Sequence, residues 1–259
     1  MGVLQRKGGN AVPLTGGLAH LGKDIENSTR LAIEEINKAG LEINGQKVTL
    51  VIDPQDDAAD PRQGTQLAQK LVDDGVVAVV GHQNSGVSIP ASKIYNDAGV
   101  AMISPSATNP VLTLQGYKVT YRLVGTDAQQ GPALARYAAS HLKVKTVAVV
   151  DDATACGHGL ADQFEKTAKS LGITVVARDV RTDKATDFRA ILTKIKGERP
   201  DIIMYGGMDA TAGPLAKQSR QLALQSKLLF GDDACTTDLN KLAGDATDSV
   251  ACLEAKIAL

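Results

Sequence analysis

Two apolar runs that stop abruptly at hydroxyl and amide residues set the strongest limit on how this chain folds. VVAVV at residues 76–80 runs into GHQNSGVS, and VAMI at 100–103 runs into SPSATNP. Runs that are apolar throughout, without alternation, suit parallel strands buried on both faces. The residues that close them include Ser85, Ser88, Ser104, Ser106 and Thr108. In parallel sheets ligands sit beyond the carboxyl ends of the strands, where loop hydroxyls and helix N-terminal N–H groups meet an anion. The pattern describes a chain built to hold a small polar molecule.

The rest of the sequence continues the alternation. Ile25, Thr29, Ala32, Ile33 and Ile36 keep helical spacing, and Gly40 follows as a stop. VTLVID at 48–53 reads as a strand, and Pro61 opens a helix through Leu67, Leu71 and Val72 that Gly75 ends. A helix at 87–98 separates the two opening strands, and a partly exposed segment at 119–125 follows. A second series then runs helix 128–142, strand 146–152, helix 159–171, strand 173–179, helix 186–197, strand 201–207, helix 211–224, strand 227–233 and strand 248–255. Two such arrays predict an α/β protein of two doubly wound parallel-sheet lobes, 11–122 and 126–250, with the tail 251–259 returning to the first.

Bulk properties remove several functions. A formal charge of -1 lacks the basic excess that nucleic acid requires. The apolar runs are strand-sized, so the chain is not membrane-embedded. Trp is absent and aromatics make up 3%, which disfavours a sugar cleft built on stacking rings. MGVLQRKGGN has Arg6 and Lys7 but no apolar stretch, so no export signal is visible, and the chain is either cytosolic or processed.

The chemistry-bearing residues are sparse. GGMDATAG at 206–213 and GHG at 157–159 do not complete a dinucleotide fingerprint. His20, His82, His141 and His158 share no metal spacing and have no visible nucleophile; His82 reads as a satisfied structural imidazole and His141 as a helix-end residue. DPQDDAADP at 53–61 lacks the Gly and Glu of a calcium loop and reads as a turn capping the helix at Pro61. No catalytic residue, metal site or cofactor is implied. Asp232 and Asp233, after KLLFG, suit either an ammonium ligand or a cap for the helix near Thr236; Ser85 and Thr108 suit either ligand contacts or N-caps. Cys235 and Cys252 lie 17 positions apart, a spacing equally open to a disulfide and to buried thiols.

The segments VPLTGGLAHLGKDIEN, DDAADPRQGTQLAQKLV, VVGHQNSGVSIPAS, ISPSATNP, TDAQQGPALARYA, DKATDFRAILTKIK and MYGGMDATAGP together resemble the periplasmic branched-chain amino acid binding proteins of ABC importers. The resemblance covers residues 11–255 in the family's order and spacing. It implies a type I periplasmic binding protein fold, two lobes joined by a hinge, in the periplasm. It places carboxylate and ammonium contacts on Ser85, Ser106, Ala107 and Thr108, and the acid completing the ammonium site on Asp232. Leu21 falls where a residue lines the side-chain pocket, and Cys156 and Met208 fall where many members carry tyrosines. An oxidising compartment implies that Cys235 and Cys252 are joined.

The departures are local. The motif usually read Y-G-x-G is Cys156-Gly157-His158-Gly159, and Asp233 stands where glycine is common. VLQRKGGN occupies the place of the family's first strand and is too charged and glycine-rich for a central one, so that strand is expected to be missing. The chain is expected to be C-terminally truncated. The function implied is reversible binding of a branched-chain or related small amino acid in an interlobe cleft, by hinge closure, for delivery to ABC permease subunits, by a monomer without catalysis. The alternatives are a cytosolic small-molecule sensor of the same fold, a nucleotide-dependent oxidoreductase, and a fragment without function.

Overall fold

A computed structural model of the chain describes residues 4–253, in two compact units that divide between Val124 and Gly125. The first unit contains β1 (Leu4–Val12), α1 (Ala19–Ala39), β2 (Glu42–Ile43), β3 (Gln46–Asp56), α2 (Pro61–Asp73), β4 (Ala78–Gly81), α3 (Ser85–Ala98), β5 (Ala101–Ser104), α4 (Val111–Leu114) and β6 (Thr120–Arg122). Its sheet has the order β2-β3-β1-β4-β5-β6, parallel except for the antiparallel β2–β3 pair. Ala11, Leu71, Val79, Tyr95, Met102 and Leu112 form its core. The acidic turn does cap α2: the Asp60 carboxylate accepts from the N–H groups of Arg62 and Gln63 at 2.8 and 2.9 Å.

The expectation that the first strand is missing is overturned. β1 is the central strand, paired with β3 along its whole length from Leu4↔Val48 to Val12↔Asp56. The strand β4 joins it only from Gly8↔Ala78 to Ala11↔Gly81. Arg6 and Lys7 therefore sit before the doubly paired part and remain exposed. Gly9 lies where packing is tight: a Cβ there would fall 3.0 Å from Val79 Cγ2 and 3.2 Å from Leu71 Cδ1. What reads as a weakness for a strand is the shape that lets α2 lie close on the sheet.

The second unit contains α5 (Asp127–Ser140), β7 (Thr146–Asp151), α6 (Ala155–Ser170), β8 (Thr174–Val180), α7 (Arg189–Glu198), β9 (Ile202–Gly206), α8 (Asp209–Gln221), β10 (Lys227–Phe230), α9 (Thr237–Ala243) and β11 (Val250–Cys252). Its sheet, β11-β10-β9-β7-β8, is parallel throughout and separate from the first. Strand residues alternate between two cores. Val147, Val149, Ile202 and Met204 pack with Leu134, Leu160 and Phe164 on one face, and Ala148, Val150, Ile203, Tyr205 and Phe230 pack with Ile191, Leu192, Leu215 and Leu239 on the other. This double burial is why the strands read as continuous apolar runs.

The first two residues of the expected returning tail belong to the second unit's sheet. Ala251 and Cys252 still pair with Leu229 and Phe230 on the edge of β10, because that edge offers unpaired backbone groups. Residues 254–259, with the rest of the expected return and the end of the strand at 248–255, lie outside the described residues. Cys235 and Cys252 are bonded, their Cα atoms 5.7 Å apart, which ties the turn after β10 to the end of β11.

Candidate functional site

Each unit has a crevice fixed by its own strand order. In the first, β1 leads through α1 to β3 on one side, and β3 leads through α2 to β4 on the other. The reversal leaves a gap in the covering connections at the carboxyl ends of β1 and β4, the usual ligand position in open α/β sheets. Loops after β4 and β5 border it. They are laced together by hydroxyls: Ser104 Oγ donates to the His82 carbonyl (2.7 Å), Ser106 Oγ to the Gln83 carbonyl (3.0 Å), and Ser88 Oγ also to the His82 carbonyl (2.9 Å). Ser104 Oγ in turn accepts from the Ala107 N–H at 3.1 Å.

Ser85 begins α3 rather than capping it. Asn84 holds the N-cap position, and Ser85 Oγ accepts from the Asn109 N–H at 3.1 Å. Among the described residues no acceptor takes its own O–H proton, and it lies in the electropositive first turn of a 14-residue helix. Ser106 has committed its proton to a carbonyl, so toward a ligand it offers lone pairs. Ala107 and Thr108 are buried on the adjoining loop, and Leu21 is half-buried early in α1. His82 is structural: fully buried, it places Nδ1 2.7 Å from Asp57 Oδ2 and Nε2 3.1 Å from the Tyr95 hydroxyl. His141 sits at the C-cap of α5.

In the second unit β7 leads through α6 to β8, and the chain then crosses back through α7 to β9 on the other flank of β7. The crevice here lies at the ends of β7 and β9, and the adjacent β10 adds a third loop. Cys156 sits in the first turn of α6, Met208 at the N-cap of α8, and Asp232 two residues beyond β10. The topology thus sets three of the expected residues at the ends of neighbouring strands. The helix α6 approaches β9 very closely, since a Cβ at Gly206 would lie 2.2 Å from the Gly157 carbonyl oxygen.

Neither Asp232 nor Asp233 caps α9; Thr236 does, accepting from the Leu239 N–H at 3.2 Å. Asp232 Oδ1 instead accepts from Gln130 Nε2 at 2.7 Å, and Gln130 Oε1 accepts from the Asp232 N–H at 3.3 Å, a two-point brace from α5. The Cys156 thiol donates to Asp233 Oδ2 at 2.6 Å. Burial raises the Asp232 carboxyl above the ordinary range, and burial together with the Asp232 charge raises Asp233 further. Burial, then the Asp233 charge, pushes the Cys156 thiol up as well. A cation brought to Asp232 would relieve this crowding.

Sequence reasoning did not find Gln130, the brace of Asp232, 102 positions away in sequence. It also missed a cluster around Arg178, which pairs with Asp151, Glu165 (3.2 Å) and Asp162 (3.4 Å) while His158 bridges Asp151 and Asp162 at 3.3 Å each. Such cross-element pairs leave no periodic trace. Among the described residues no group of His, Cys, Asp and Glu is arranged to hold a metal, and no helix is long and apolar enough to cross a membrane.

The strand-end crevices and their loops have the form of a solute-binding protein, and comparison with known proteins agrees. Residues 7–256 match the periplasmic binding protein family, and the chain belongs to it. It is 39% identical over 242 residues to Leu/Ile/Val-binding protein homolog 1 of Brucella abortus, covering 93% of this chain and 64% of that one. It is 38% identical over 240 residues to the leucine-, isoleucine-, valine-, threonine- and alanine-binding protein of Pseudomonas aeruginosa, again 93% and 64%. The crystal structure of the branched-chain amino acid transporter substrate-binding protein LivJ of Streptococcus pneumoniae, in complex with isoleucine, superposes with a TM-score of 0.83 at 29% identity, covering 93% of this chain and 68% of that one. The chain spans 64% of the length of the curated relatives it matches.

Proposed function

We propose that this chain binds a branched-chain or related small amino acid reversibly and without catalysis, as a periplasmic, monomeric receptor that delivers it to the permease subunits of an ABC importer. The first unit takes the carboxylate through the Ser85 hydroxyl and the N–H groups that open α3, with Ala107 and Thr108 lining the neighbouring loop. Asp232 of the second unit takes the ammonium, and Leu21, Cys156 and Met208 lie near the ligand's side chain. The observation that carries the reading is Ser85: its oxygen is braced by the Asn109 N–H, and among the described residues no acceptor takes its proton. The names of the relatives support the ligand class.

Titration calorimetry of the purified chain with leucine tests the proposal. Leucine should bind, and Asp232→Ala should weaken it by about 1.5–3 kcal/mol, the range for a hydrogen bond to a charged group. Equal affinity with and without the Asp232 carboxylate would refute the assignment of the ammonium site.

A further inference from the structure

Around the loop that follows β4 almost every polar atom has a partner supplied by the protein. The His82 ring is engaged at both nitrogens, its carbonyl takes two serine hydroxyls, and the Gln83 carbonyl takes a third. The Gln83 and Asn84 side chains are exceptions. Gln83 is 5% exposed, yet its Oε1 is buried and meets no donor among the described residues, as is true of the Oδ1 atom of its half-buried neighbour Asn84. Buried acceptors are nearly always satisfied, and one left open beside a binding loop is a place for a ligand donor. Gln83 lies two residues before Ser85, at the carboxyl end of β4 and on the rim of the first unit's crevice.

We infer that Gln83 is a specificity-determining residue, and that the preferred ligand is a small amino acid whose side chain carries a hydrogen-bond donor, a hydroxyl or an ammonium group. The inference rests on the proposed amino acid site. There the carboxylate is met by Ser85 and the α3 N-terminus and the α-ammonium by Asp232, so the donor that completes Gln83 Oε1 comes from the side chain. A purely aliphatic side chain would leave that oxygen buried and unpaired in the complex, which is how a site built around a hydrogen bond rejects the isostere lacking it.

Threonine and valine differ only by a hydroxyl in place of a methyl, and 2,4-diaminobutyrate supplies the ammonium arm against norvaline. Calorimetry on the whole chain should show a donor-bearing ligand bound about tenfold more tightly than its aliphatic counterpart, the worth of one good hydrogen bond. Which pair discriminates identifies the donor as hydroxyl or ammonium. Gln83→Leu should abolish the preference while leaving valine bound at least as well. Valine and norvaline bound as tightly as their counterparts in the parent chain would overturn the inference and leave the amino acid site intact; this comparison does not depend on any variant folding. Equal weakening of all four ligands by Gln83→Leu would also overturn it, by assigning the carboxamide to the common zwitterion. Binding of none of the four, nor of leucine, would remove the underlying site and the inference with it.

Discussion

Removing the disulfide gives the sharpest test of how the second unit is held together. The perturbation is the double substitution Cys235→Ala, Cys252→Ala. The bond closes a loop of 17 residues and pins the last described strand, β11, against the turn after β10. In the chain-entropy description such a loop withdraws about 10 cal/mol/K from the unfolded ensemble, or about 3 kcal/mol at room temperature. For a unit of this size that corresponds to a fall in Tm on the order of 10 °C. The strand β11 is three residues long and lies at the sheet edge, so little else offsets the loss. Thermal and urea unfolding of parent and double variant, followed by circular dichroism, measure it. A thiol titration of the denatured, unreduced parent should find Cys156 as the sole reactive cysteine. If the variant unfolds within about 0.5 kcal/mol of the parent, as an ordinary surface change would, the entropic reasoning fails; if all three cysteines react, the bond itself is absent.

Two further outcomes are expected. Asp233 holds its proton above the range of an unfolded carboxyl, near pH 4. Through that window the native state binds more protons than the unfolded one, so stability falls as pH rises. Asp233→Asn removes the effect and should gain on the parent from acid to neutral pH in a series of thermal melts; a difference independent of pH would contradict the assignment. Gly206→Ala places a methyl 2.2 Å from the Gly157 carbonyl oxygen, and overpacking of this kind should cost roughly 1–3 kcal/mol in urea unfolding. An unchanged midpoint would show that α6 and β9 separate freely.

The sequence made the strands and their order of alternation plain, because burial on both faces of a parallel sheet writes continuous apolar runs. It was silent where pairing decides the outcome. β1 carries Arg6, Lys7 and two glycines; its register, with β4 joining at Gly8, explains why a central strand tolerates the two charges, and the close approach of Leu71 explains Gly9. The β2–β3 hairpin turns on Asn44 and Gly45, both at positive φ, a two-residue signature overlooked between longer elements. For the site, the family resemblance pointed to Ser85, Cys156, Met208 and Asp232, and the fold sets them near strand ends. The brace from Gln130, the thiol bond from Cys156 to Asp233 and the open acceptor of Gln83 depend on distances across the fold, which no local pattern encodes.

An odd number of cysteines is a hazard in an oxidising medium, because any accessible thiolate can attack an existing disulfide and reshuffle it. The seating of Cys156 disarms this. Its sulfur is buried, its proton is held by Asp233, and the surrounding carboxylates resist formation of the thiolate that attack requires. The same acid that crowds Asp232 therefore acts as a chemical safety on the third cysteine, and the bond between Cys235 and Cys252 keeps a single pairing once the second unit has folded.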